Sequence, residues 1–227
     1  FLELVAKAKV VIITKIMSKV LDILKKSGAI ITDSHFVGTS GAHFATYIKK
    51  DALYPHTSDT SDVCKLFAEK VQDLEIDVVV GPALGGIILS TWTAHHLSQI
   101  KGREILSIYC EKSVGGGSIT ESEMLLTRGY DQLVKGKKVF IVEDLTTTGQ
   151  SAKKVVDVVR AAGGEVVAVS VMVNRSPKIV TSEYFGAPFF PLDEFEVPTF
   201  SEADCSLCKL GVPINTTVGH GKKYLES

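Results

Sequence analysis

Very little net charge marks this chain: 25 Lys and Arg face 26 Asp and Glu, leaving a formal charge of −1 over 227 residues. No global field therefore favours nucleic acid or an anionic membrane, and an anionic ligand must be held by local donors. Long apolar runs are missing too. In the amino-terminal stretch, Phe1 to Ile16, Lys7, Lys9 and Lys15 leave Val10 to Ile13 as the longest uninterrupted apolar run. That is too short for a signal core or a membrane span. Without an export signal, the four cysteines are read as reduced thiols of a cytoplasmic protein. Internal repeats are absent, and the length suits one α/β domain with appendages.

The chain begins with Phe, whereas Met17 to Lys26 reads as a natural opening helix with Val20, Leu21 and Leu24 on one side. Phe1 to Ile16 is accordingly set apart as an upstream extension or a fragment edge of open role, and residues 17 to 227 as one domain. Ala29 to Ile31 and Phe36 to Tyr47 read as short strands broken by Gly38 and Gly41. Helices are expected over 62 to 74, from Gly86 to about Ser98, and over Ser151 to Ala162. Strands are expected over Ile76 to Val80, Glu104 to Cys110, Lys138 to Val142 and Val166 to Val173, with a loop or hairpin over Ser113 to Leu126. Strand alternating with helix predicts a central parallel sheet covered on both faces. After Gly186, Pro188, Pro191, Pro198 and Pro213 signal an irregular tail wrapping the core.

The most informative stretch is Val139 to Ser151: an apolar strand, the acids Glu143 and Asp144, then Thr146, Thr147, Thr148 and Gly149 just before a helix. Helix N–H groups and hydroxyls around a permissive glycine suit a phosphate monoester. A nucleoside triphosphate loop would need a lysine after its glycines, and none is there. Two carboxylates would repel a bare anion but accept hydrogen bonds from a sugar diol. The bland alternative is an ordinary strand-turn-helix with surface acids. Val79 to Ile87 repeats the logic, with Gly81, Gly85 and Gly86 between a strand and a helix; a purely structural turn is its alternative. Lys112 ends a strand before Gly115, Gly116 and Gly117, which suggests a cation beside a hinged lid, or else a surface lysine on a flexible hairpin. Arg128, after that segment, is a second cation or a strand-edge arginine. Arg175 follows the next strand, where it can grip a carboxylate or carbonyl edge.

This run resembles the motif that binds 5-phosphoribosyl 1-diphosphate (PRPP) in type I phosphoribosyltransferases. The resemblance implies that fold, an α/β domain with a small hood (about 28 to 60) and a tail (about 187 to 227). It assigns PRPP binding to Glu143, Asp144, Leu145, Thr146, Thr147, Thr148, Gly149, Gln150 and Ser151, and to Ala83, Leu84, Gly85, Gly86 and Lys112. Catalytic roles fall on Lys112, Arg128 and Asp144. His35 to Ile48 is similar to the amino-terminal segment of orotate phosphoribosyltransferases, with a Phe, a Ser-Gly pair and a Tyr. Base binding then falls on Phe36, Thr39, Ser40, Gly41, Thr147 and Arg175. The similarity runs from about Met17 into the tail, where Glu196-Val-Pro-Thr and Cys205 to Pro213 match the ends of some members. Three departures stand out: Thr39 and Gly85 replace usual lysines, and the lid lacks a Lys-x-His-Gly signature, with Arg128-Gly129-Tyr130 closing a glycine-rich lid instead.

The implied reaction is Mg²⁺-dependent transfer of phosphoribose from PRPP to orotate, giving orotidine monophosphate and pyrophosphate, in a homodimer that uses no nucleic acid and no membrane. Mg²⁺ is expected on substrate oxygens and waters, so no protein residue is assigned to metal. A purine-base phosphoribosyltransferase and, in another class, a PRPP-sensing regulator are the rival readings. Cys205-x-x-Cys208 is taken as a pair of reduced structural thiols. As a zinc site it would need further ligands, from Cys64, Cys110, His220 or a second subunit. His95 and His96 are read as core-edge and surface residues of a helix.

Overall fold

The computed structural model describes residues 19–38, 40–113 and 123–226. Phe1 to Ile16, Thr39 and the glycines at 115 to 117 lie outside them, and so do the expectations attached to each. The chain opens with α1 (Lys19–Lys26), followed by four two-residue strands, β1 (Ile30–Ile31), β2 (Phe36–Val37), β3 (His43–Phe44) and β4 (Tyr47–Ile48). Helix α2 (Thr57–Lys70) leads into β5 (Val78–Pro82), α3 (Gly85–Lys101), β6 (Leu106–Lys112), β7 (Met124–Leu125) and α4 (Tyr130–Val134). Then come β8 (Lys138–Thr146), α5 (Gln150–Ala161), β9 (Glu165–Asn174), α6 (Ser182–Phe185), β10 (Asp193–Glu194), α7 (Ser206–Lys209) and α8 (Gly221–Leu225).

Six strands form one sheet in the order β10-β9-β8-β5-β6-β7, parallel except for the β6–β7 pair. Alternation along each strand sorts apolar side chains to the two faces. Val79, Phe140, Val142, Ala168 and Met172 face a layer containing Leu24 of α1, Phe67 of α2 and Leu89 of α3. Val78, Val80, Val139, Ile141 and Val169 meet Val155, Val156 and Val159 of α5 on the other side. Both faces of the central strands are closed, which explains why they read as continuous apolar runs rather than alternating ones.

Two boundaries differ from expectation in ways that matter. Helix α2 begins at Thr57, before the predicted 62, and ends at Lys70 rather than 74. Its first turn is polar, and tertiary partners hold it: the Thr60 hydroxyl donates to Leu53 O at 3.1 Å, and Lys26 reaches Asp59 at 2.7 Å. The strand expected to stop at Val142 continues to Thr146, because β9 pairs with it throughout, Glu143 with Val171, Leu145 with Val173 and Thr146 with Asn174. Glu143 and Asp144 are thus strand residues, and the loop proper is Thr147 to Gly149.

At the end of β5 the backbone of α3 comes unusually close. A methyl at Gly81 would sit 2.2 Å from Gly86 O, so neither position accepts a side chain without movement. In the tail, Phe190 and Leu192 donate to Val169 O and Val171 O, which seats β10 beside β9. Further on the tail bridges to the hood, Phe200 pairing with His43 and Ile214 with His35. Among the described residues no helix is long and apolar enough to cross a membrane.

Candidate active site at the carboxyl edge of the sheet

Parallel pairing puts the carboxyl ends of β5, β6, β8 and β9 along one edge, where open α/β sheets bind ligands. After β8 the turn is closed from within: Thr146 Oγ1 accepts from Gly149 N at 2.9 Å, and Thr146 O accepts from Arg175 N at 2.8 Å. Gly149 adopts φ 76°, caps α5 and leaves its first turn without a side-chain cap. The helix N–H groups therefore remain available to an anion. Thr147, Thr148, Gln150 and Ser151 are exposed around this turn, Thr146 is buried and Leu145 half-buried.

Both acids are buried, Glu143 to 8% and Asp144 to 4% exposure. Asp144 has donors in place. Lys50 Nζ stands 2.5 Å from its Oδ2, the Tyr54 hydroxyl donates to the same oxygen at 2.9 Å, and Leu145 N donates to Oδ1 at 2.7 Å. Glu143 Oε1 accepts from Asp144 N at 3.0 Å. Burial, reinforced by the neighbouring Asp144 charge, pushes the Glu143 carboxyl up to about 8, against the pull of Lys50 and Lys112. Burial disfavours charge on Lys50, yet the attraction of Asp144 outweighs it and leaves that ammonium raised. Burial and Asp144 together raise Tyr54, which keeps its phenol a donor.

Lys50 and Tyr54 were not anticipated from sequence. They come from the hood's far end and lie 94 and 90 positions from Asp144, so no local pattern announces them. Gly85 belongs to the same arrangement: a methyl there would fall 2.3 Å from Tyr54 Oη and 2.5 Å from Asp144 Oδ2. The missing lysine at 85 thus has a packing reason, since two donors from the hood occupy the approach to Asp144. Ala83 N donates to Cys110 O at 2.8 Å, the Ala83–Leu84 peptide is cis, and the Leu84 side chain is 82% exposed. Gly86 lies in the first turn of α3, buried against Gly81.

Lys112 is exposed at the end of β6, opposite Met124. Arg128 does not join the acid pair: it binds Glu111 at 3.1 Å and lies over the Tyr109 ring at 5.9 Å, its side chain 56% exposed. Arg175 follows β9, with its guanidinium 5.8 Å from the Phe44 ring centroid and its buried Nε without a partner among the described residues. Phe44 stacks on Phe36 at 5.9 Å and on Tyr47 at 6.5 Å. The Phe36 ring is fully buried and supports this wall from behind, while Ser40 is exposed and Gly41 half-buried in the β2–β3 turn.

Comparison with known proteins agrees with this geometry. The phosphoribosyl transferase domain family matches residues 50–185. An orotate phosphoribosyltransferase of Caldanaerobacter subterraneus subsp. tengcongensis is 34% identical over 86% of this chain and 94% of its own, and one of Thermotoga maritima 35% identical over 89% and 98%. Among solved structures, the orotate phosphoribosyltransferase of Aeropyrum pernix superposes with a TM-score of 0.59 at 27% identity, covering 77% of this chain and 92% of that one. The Mycobacterium tuberculosis enzyme in complex with inorganic phosphate gives 0.60 at 25% identity, over 77% and 95%. With matches of this extent in sequence and in fold, the chain belongs to the phosphoribosyltransferase family, in its orotate phosphoribosyltransferase branch.

Proposed function

We propose that this chain transfers the phosphoribosyl group of PRPP to orotate, releasing pyrophosphate and orotidine monophosphate. The observation that carries the reading is the meeting, on one sheet edge, of an uncapped helix start, an acid pair and a half-buried arginine with an unpartnered Nε. The 5-phosphate is assigned to the amides and hydroxyls of Thr146 to Ser151. The ribose hydroxyls are assigned to Glu143 and Asp144, which requires the diol to take over from Lys50 and Tyr54 at Asp144. Lys50 is then released toward the diphosphate, where a cation is useful and where Gly85 supplies none.

The bond from ribose C1 to the diphosphate oxygen breaks, the bond from C1 to the base nitrogen forms, and that nitrogen's proton leaves to solvent. No covalent nucleophile is required; positioning and charge stabilisation carry the rate. Lys112 sits at the end of β6 to meet the leaving group. Arg128, tied to Glu111, would first have to let go of it. Arg175 is assigned to the orotate carboxylate, over the wall made by Phe44, Phe36 and Tyr47, with Ser40, Gly41 and Thr147 at its margin.

Mg²⁺ would be held by PRPP oxygens and waters near Glu143 and Asp144, where it would neutralise diphosphate charge. The donor set fits that role, because the Asp144 carboxylate, with the Glu143 carboxyl beside it, offers outer-sphere acceptors to its waters. A homodimer and a cytoplasmic home belong to the same proposal. The assay is loss of orotate absorbance with PRPP and Mg²⁺; inactivity with orotate alongside turnover of a purine base overturns the assignment of the base. Sedimentation at assay concentration reports the dimer.

A further inference from the structure

Away from that edge, four side chains with metal-ligating atoms converge between the hood and the tail. His35, His43, Cys205 and Cys208 present nitrogen and sulfur atoms that all lie within 4.8 Å of one another, three of these residues being buried and Cys208 half-buried. The partners expected for the cysteine pair were others. Cys64 and Cys110 are buried core thiols that burial pushes up to about 12, and His220 is not among the four. We propose that His35 Nε2, His43 Nδ1, Cys205 Sγ and Cys208 Sγ bind one zinc ion, a structural site that fixes the hood hairpin to the tail.

Geometry favours this reading. His35 Nε2 lies 3.6 Å from Cys205 Sγ and 3.7 Å from Cys208 Sγ, and His43 Nδ1 lies 3.3 Å from Cys208 Sγ. Tetrahedral zinc with ordinary Zn–S and Zn–N lengths separates a sulfur and a nitrogen by about 3.6 Å. The two nitrogens are closer, at 2.7 Å, and must open by several tenths of an ångström to admit the ion. Strand alternation explains their convergence. Val37 pairs with His43 and Phe36 with Phe44, so His35, Val37 and His43 share the face opposite the phenylalanines. Helix α7 supplies Cys208, and Cys205 precedes its first turn.

The surrounding shell is that of a ligand set. His35 Nδ1 lies 2.9 Å from Val212 O, which places the ring proton on Nδ1 and leaves Nε2 a lone pair turned toward the thiols. His43 is fully buried, its Nε2 has no hydrogen-bond partner among the described residues, and its ring stands edge-on to Tyr224 at 5.2 Å. The polar reason for burying that imidazole is therefore its Nδ1 edge. Two thiolates and two neutral imidazoles balance a divalent cation, so the loaded site is neutral and compatible with burial. Sulfur and imidazole ligands in fourfold arrangement select zinc over hard cations. Closed to further ligands, the site is structural rather than catalytic.

The ion would brace the turn that carries Ser40 and Gly41. Backbone bonds already run the same way, from His43 N to Phe200 O at 2.8 Å, Asn215 N to His35 O at 2.7 Å and His220 N to Val37 O at 3.0 Å. Elemental analysis of the full chain, purified under reducing conditions without added metal, tests the proposal independently of any activity. Zinc close to one per chain is expected, falling to background in Cys208→Ser and His43→Ala and unchanged in Cys64→Ser. Cobalt reconstitution should give the intense visible bands of a tetrahedral site with sulfur-to-cobalt charge transfer. Zinc well below one per chain after reconstitution, zinc retained in Cys208→Ser, or a Cys205–Cys208 disulfide surviving reductant would each overturn it. Because these variants leave the acid pair intact, a missing metal says nothing against the phosphoribosyl reading, and a missing activity nothing against the metal.

Discussion

Lys50 and Asp144 stand 94 positions apart in the chain, yet Lys50 Nζ lies 2.5 Å from Asp144 Oδ2 at the mouth of the acid pair. The contact neutralises a carboxylate that is almost closed to water, and it ties the hood to the last turn of β8. Replacing Lys50 with Met leaves that charge without a cation, held only by the neutral donors Tyr54 Oη and Leu145 N. Since the lysine is itself 36% exposed, the loss is set below that of a fully buried pair, at about 1–2 kcal/mol. Thermal melts at neutral pH should show a fall of about 2–8 °C; an unchanged midpoint would mean the pair contributes nothing to the fold.

Glu143 gives the protein a pH signature. Its folded value, about 8, lies above the ordinary 4.5, so the folded chain holds a proton that the unfolded chain has released. This group's contribution therefore weakens as pH rises from about 4.5 to about 8 and changes little beyond. Glu143→Gln removes the titration while keeping the shape. Its melting temperature should gain on the parent between about pH 4.5 and about pH 8 and then level off; a constant difference across that range rules out the raised carboxyl.

Gly149→Ala tests the turn to which the 5-phosphate is assigned by proposal. The backbone sits at φ 76°, and an added methyl would meet Tyr184 Cε1 at 2.5 Å. Strain and clash together should cost about 2–3 kcal/mol in denaturant unfolding. Adding Tyr184→Ala should recover the steric share and leave the backbone share. Weaker PRPP binding should persist in the double variant, read by titration calorimetry.

Arg175 should act on the base and not on PRPP. Losing one charged hydrogen-bonding group, as in Arg175→Met, should raise the KM for orotate about 10–100-fold. Arg175→Lys should restore only part, because an ammonium cannot make the paired contact of a guanidinium. Steady-state kinetics with each substrate varied decide it, and an equal rise in both KM values would remove Arg175 from the base.

Much of this arrangement was legible because it is local. The run from Val139 to Ser151 carries strand, acids, turn and helix in consecutive residues, and the alternation of such units predicted the parallel sheet that the structure has. What escaped depends on distance along the chain. Lys50 and Tyr54 reach Asp144 only once the hood folds over the sheet, and His35 meets Cys205 across 170 positions. Boundaries failed where tertiary partners outweighed local preference, as at the polar first turn of α2, or where a neighbouring strand kept pairing past the apolar run, as at Glu143.

Because β8 runs on to Thr146, Glu143 and Asp144 are consecutive in an extended strand and project toward opposite surfaces. A compound resting on either surface alone would reach a single carboxyl group. Under the proposed assignment the sugar arrives end-on, its two neighbouring hydroxyls spread astride the strand tip, and a competitive inhibitor built without that vicinal span should forfeit half of the grip.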